Sequence, residues 1–160
     1  MTSPRAHGPG LWVVVGLPGA GKTTRARALA AEHGAVRMNP DEWMADLGVD
    51  LFDEPFRARL ERRLTALTED VLARGGRVVV EYGSWSRAER DALLAAARRA
   101  GAYAELHVLE PDVAELWRRL AERNERPGEA RIDRALLDSH LPHWESPVGD
   151  ELAGWDAHHR

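Results

Sequence analysis

Lys22 is the only lysine in a chain of 160 residues, and it lies in the stretch GLPGAGKTT, Gly16 to Thr24. Every other one of the 22 basic side chains is an arginine. A compact ammonium on a flexible stem serves as a point charge between phosphates, where a planar guanidinium fits badly. Gly16, Gly21, Lys22 and Thr23 match G-x-x-x-x-G-K-[ST] at every fixed position. In such a loop, here Gly16, Leu17, Pro18, Gly19, Ala20, Gly21, Lys22, Thr23 and Thr24, backbone N–H groups curl around phosphate oxygens with no Cβ in the way. The helix that follows aims its positive N-terminus at the same anion. Lys22 would reach the β- and γ-phosphates, Thr23 would ligate Mg²⁺ and Thr24 would touch the α-phosphate. The chemistry expected is the binding of a nucleoside triphosphate with Mg²⁺.

Such a loop needs a buried strand before it and a helix behind it. The apolar run Leu11 to Val15 supplies the strand, and Gly21 to His33 the helix, closed by Gly34. Strand and helix signals then alternate, as in βα units around a parallel sheet. AVRM, ending at Met38, is a second strand, and Asn39, Pro40 and Glu42 read as N-cap, N1 and N3 of a helix. Asp53 to Arg74 carries apolar residues at helical spacing: Phe56, Leu60, Leu64, Leu67 and Val71. RVVVEY is a third strand, SRAE a capping box at Ser86 to Glu89, and AELHVL a fourth strand placed near an edge. A helix from Pro111 to about Asn124, a turn at ERPGEAR and a helix from Ile132 to Leu141 follow. The tail from about residue 142 has no strong periodicity, and no fifth strand can be placed in it.

Composition bounds the rest. The chain is 44% hydrophobic and 30% charged, as expected of one globular domain over 1–160. It lacks cysteine and any apolar run of membrane-spanning length, and MTSPRAHGPG has no signal-like core, so the expected location is the cytoplasm. A net charge of −4 gives no global attraction for nucleic acid. With one lysine, already used in the loop, no NKxD guanine-reading segment exists, which argues against a regulatory GTPase.

GLPGAGKTT, RMNPDEW, VVVEYGSW and WRRLAERNER, taken in order, resemble the small P-loop kinase-like proteins. That group includes polynucleotide 5′-hydroxyl kinases, chloramphenicol phosphotransferase, zeta toxins, small sugar kinases and relatives classed as AAA-type ATPases. The resemblance covers roughly Leu11 to Arg126. It implies an α/β P-loop NTPase three-layer sandwich, with a mostly parallel sheet of four or five strands flanked by helices.

It also implies roles. In that group an aspartate after the second strand acts as general base on the acceptor hydroxyl, and Asp41 matches it. Strand C-termini of a parallel sheet face the loop, so Asp41 would stand across the cleft from Lys22. Glu42 fits the capping role better. Glu81, ending VVV, would support Mg²⁺ directly or through water. Arg119, Arg123 and Arg126 share a helix face entering a lid around 118–131, where similar kinases close arginines over the triphosphate. Glu115 and Glu122 are positioned to pair with Arg119 and Arg126, which leaves Arg123 the first choice and Arg126 the second.

Trp43, Met44, Phe52 and Trp85 fall on the expected acceptor side, and His140, His143 and Trp144 on a possible flap. His158 and His159 read as a frayed end. The expected activity is ATP- and Mg²⁺-dependent transfer of the γ-phosphate to a hydroxyl of a sugar, nucleoside or antibiotic. A 5′-hydroxyl polynucleotide kinase, and a nucleotide switch or slow ATPase with no acceptor, are the alternatives.

Overall fold

A computed structural model describes residues 8–127 and 130–160. Residues 1–7 and the Gly128–Glu129 part of the expected turn lie outside the described residues.

Five strands form one sheet in the order β2-β3-β1-β4-β5, with every neighbouring pair parallel. They are β1 (Gly10–Val15), β2 (Val36–Met38), β3 (Arg77–Gly83), β4 (Tyr103–Val108) and β5 (Ala157–His159). The helices are α1 (Lys22–His33), α2 (Pro40–Asp46), α3 (Glu54–Ala73), α4 (Arg87–Arg99), α5 (Val113–Asn124), α6 (Arg134–His140) and α7 (Asp150–Ala153).

Alternation along β1 divides its side chains between two layers. Leu11, Val13 and Val15 pack with Leu60, Leu64 and Leu72 of α3 and with Leu93 and Ala97 of α4. Trp12 and Val14 pack with Ala26 and Leu29 of α1 on the opposite face. A third cluster joins Leu17 and Ala20 of the loop to Leu116 and Leu120 of α5 and to Leu137 of α6. The phosphate loop is therefore backed by helices that the sequence places about a hundred residues away.

Local signals set most helix ends. Asn39 accepts from the Glu42 N–H, and Ser86 with Glu89 forms a reciprocal capping box. The capping box expected at Asn39 is only half formed, because the Glu42 carboxylate turns to Arg37. α5 begins two residues later than expected, after Asp112 rather than at Pro111, because the Asp112 side chain caps the Glu115 N–H. The last predicted helix resolves into α6, capped by Asp133, and a 3-10 turn over Leu141–His143.

The tail is the main departure. It holds both α7 and β5, and β5 takes the edge expected for β4. Asp156 secures the junction: its N–H donates to Ala104 O, while its carboxylate accepts from Ala104 N and from Arg98. Arg90, fully buried, pairs with Glu151 and donates to the carbonyls of Ser84, Trp85 and Glu145. One arginine thus ties the β3–α4 turn to the tail.

Candidate active site

The loop between β1 and α1 is shaped by close approach. A Cβ on Gly16 would lie 2.7 Å from Leu109 O and 2.8 Å from Ala20 Cβ. Gly19 has φ +85°, and a Cβ there would meet Leu120 at 2.9 Å. Only glycine satisfies both constraints at Gly19.

Lys22 Nζ donates to Gly16 O at 2.9 Å and to Leu17 O at 3.1 Å. Burial pushes the ammonium down to about 8; the Asp41 and Glu81 carboxylates pull the other way, and the Arg123 charge adds to the fall. A half-buried cation held by carbonyls is suited to exchange them for phosphate oxygens. Together with the glycine cradle, this fits the triphosphate the motif implies. Gly16 O also accepts from the Trp85 indole at 3.2 Å.

Behind Lys22 lies a polar knot built around Glu81, which is 6% exposed at the end of β3. One carboxylate oxygen accepts from Thr23 Oγ1 at 2.8 Å and from Asn39 Nδ2 at 2.6 Å. The other accepts from Arg37 at 3.1 Å, and Arg37 also grips Glu42 at 2.6 Å. Glu81 thereby holds the hydroxyl expected to ligate Mg²⁺, a route to the ion that runs through Thr23. Thr23 and Glu81 supply the oxygen donors that Mg²⁺ prefers.

Asp41 lies in the first turn of α2, with its side chain 59% exposed, and accepts from Arg57 of α3 at 2.5 Å. Its charge reaches both Lys22 and Glu61. Glu61 lines a cleft of about 330 Å³ between α3, α4 and the end of β3, together with Arg62, Thr65, Tyr82, Ser84 and Glu89. Ser84 turns the chain there with φ 50°, rare for a non-glycine residue.

On α5 the arginines divide differently from expectation. Arg119 is the one on the loop, donating to Ala20 O at 3.1 Å while keeping Glu115 at 2.8 Å. Arg123 acts on Lys22 by charge and donates to Ala130 O at 3.4 Å. Glu122 pairs with Arg118, rather than with the Arg126 expected. Sequence reasoning passed over Arg37, Arg57 and Asn39 as a Glu81 partner, and it set Arg119 aside for the Glu115 pair that the structure keeps. The one local hint was a charged residue, Arg37, set inside a three-residue strand.

Several acceptor-side candidates prove to have structural partners. Met44 is fully buried in the core, and Trp85 is held by Gly16 O and packs against His140. Trp144 is bonded to Glu110 at 2.7 Å and lies under Arg90, so it is anchored rather than a flap. Trp43 and Phe52 remain exposed.

A parallel five-stranded sheet with this loop after its central strand defines a small P-loop kinase-like protein. Residues 11–147 match the model of the AAA domain family AAA_33, and the chain belongs to that family. Solved structures share the fold. A chain of the Pnkp1/Rnl/Hen1 RNA repair complex is 25% identical with a TM-score of 0.73, matching over 89% of this chain and 46% of its own. This protein therefore spans less than half the length of that relative. An unliganded sugar kinase from Janibacter sp. HTCC2649 is 23% identical with a TM-score of 0.66, over 95% of this chain and 84% of its own. Chaetomium thermophilum Kti12, solved with ADP-AlF3, is 21% identical with a TM-score of 0.70, over 94% and 88%. No curated protein matches by sequence. None of the described helices is long and apolar enough to cross a membrane.

Proposed function

We propose that the protein transfers the γ-phosphoryl group of ATP, with Mg²⁺, to a hydroxyl of a small molecule held in the Glu61–Tyr82–Glu89 cleft. The observation that carries this reading is the position of Asp41. From the first turn of α2 its charge acts on both Lys22 at the loop and Glu61 in the cleft.

Gly16 to Thr24 hold the triphosphate, and Lys22 leaves its loop carbonyls for phosphate oxygens. Thr23, oriented by Glu81 and Asn39, ligates the metal. Mg·ATP supplies the phosphoryl group and part of the charge screening. Asp41, kept in place by Arg57, orients the acceptor hydroxyl and takes its proton as the new P–O bond forms and the bond from the γ-phosphorus to the β–γ bridging oxygen breaks, releasing ADP. Arg123 and Arg126 close from α5 and the turn beyond it, and Arg119 steadies the loop from below. The cleft is lined by two carboxyls, Glu61 and Glu89, and one arginine, Arg62, rather than by a basic channel, which supports a small acceptor over a nucleic-acid end. Its volume matches a sugar-sized ligand.

The test is label transfer from γ-labelled ATP into pools of sugars, nucleosides, hydroxylated antibiotics and 5′-hydroxyl oligonucleotides. Label should enter a small-molecule pool. Asp41→Asn should abolish that transfer while ATP affinity stays within a few-fold, and Lys22→Ala should remove nucleotide binding. Label entering only the oligonucleotides would overturn the small-molecule reading. Free phosphate as the sole product, insensitive to Asp41→Asn, would indicate an ATPase or switch.

A further inference from the structure

On the α1 face of the sheet, away from the loop and the cleft, three side chains converge. Glu105 and His107 alternate onto one face of β4, and the parallel register sets His159 of β5 beside His107. His107 Nε2 lies 2.8 Å from Glu105 Oε1, and His159 Nε2 lies 2.9 Å from the same oxygen. The imidazoles stack with centroids 4.6 Å apart and planes 21° from parallel, and both Nε2 atoms lie within hydrogen-bond distance of the one Glu105 oxygen. All three potential ligand atoms fall within 4.8 Å of one another.

We propose that Glu105, His107 and His159 form a site for a borderline divalent transition-metal ion, Zn²⁺ foremost. Two imidazoles and one carboxylate are a donor set for Zn²⁺, whereas Mg²⁺ prefers oxygen alone. Zn–N and Zn–O bonds of about 2.0–2.2 Å place tetrahedral ligands roughly 3.3 Å apart. To admit the ion, the observed 2.8 and 2.9 Å spacings need to open by about half an ångström, and the two ring nitrogens, within 4.8 Å of each other, to settle at the same separation.

The surroundings suit the task. Tyr103 donates to the second carboxylate oxygen of Glu105 at 2.6 Å, which fixes the carboxylate and leaves Oε1 for the shared point. His107 is 5% exposed and Glu105 14%, while His159 on the edge strand is 52% exposed and opens a path for entry. On binding, each imidazole coordinates as the neutral ring through Nε2, its remaining proton on Nδ1. His107 Nδ1, buried, has no hydrogen-bond partner among the described residues. The ion would fasten β5 to β4.

The test uses full-length protein without a histidine tag, stripped by chelator and held in excess Mg²⁺ so that the nucleotide site is not counted. Zn²⁺ titration by calorimetry should give one saturable equivalent, and Zn²⁺ should raise the thermal midpoint. His159→Ala, on the exposed edge, should lose at least about tenfold in affinity together with the thermal shift, since a ligand matters no less than the outer partners whose loss costs about 10–100-fold. His158→Ala should behave as wild type, and Tyr103→Phe should weaken binding about tenfold. No saturable binding by the wild type would overturn the proposal. So would equal binding by a folded His159→Ala, which would place the ion on other histidines. No readout depends on phosphoryl transfer.

Discussion

Glu61 shows what burial does to a single carboxyl. Its removal from water in the cleft between α3 and α4 raises it from the usual 4.5 to about 7, opposed by the nearby Arg57 charge. The proton is released near pH 4.5 in the unfolded chain and near pH 7 in the fold. Protonated Glu61 therefore contributes stability that is full below about pH 4.5 and is lost as pH rises through 7. At about 1.4 kcal/mol per pH unit, the unfolding free energy should fall by at most about 3 kcal/mol across that window. Glu61→Gln should flatten that part of the profile in urea melts taken at a series of pH values. An identical profile in the variant would mean that the carboxyl is well solvated. Residue-level legibility followed the same division between local and distant causes. The phosphate loop was readable because its glycines and lysine answer to one short piece of backbone. Arg119 on Ala20 was not, because 99 residues separate the partners, and its helical neighbour Glu115 offered a sufficient explanation.

Among the elements, the β3–α4 turn depends most on distant support. Arg90 is wholly buried, and its guanidinium is shared between Glu151 and three carbonyls of the turn and tail. Removing one partner of a buried ion pair leaves the other charged and unsolvated, at a cost of about 3–5 kcal/mol. Arg90→Met should therefore drop the denaturation midpoint sharply, and adding Glu151→Leu should recover part of the loss. Equal stability of the two variants would show that the carbonyl contacts, rather than the ion pair, carry the energy. The sequence announced α4 through its Ser86–Glu89 capping box but gave no sign of what holds the turn before it. β5 was illegible for a related reason. Three residues cannot display a period, and the strand is specified by Asp156 reaching Ala104 and Arg98.

At the scale of the molecule, alternating strand and helix signals were enough to foresee a parallel sheet with helices on both faces, because each βα unit announces itself locally. Which strand lies beside which was beyond local signals. The tail closes the sheet at one edge and, through Glu145 N–H to Trp85 O, steadies the turn next to the loop. Trp85 in turn shares the Gly16 carbonyl with Lys22. When a triphosphate draws the lysine away, the indole keeps its hydrogen bond but loses a cation as its neighbour. Its emission should shift, and of the six tryptophans only the Trp85→Phe variant should go silent to added nucleotide. The protein would thus carry its own optical gauge of loop occupancy, readable without label, acceptor or turnover.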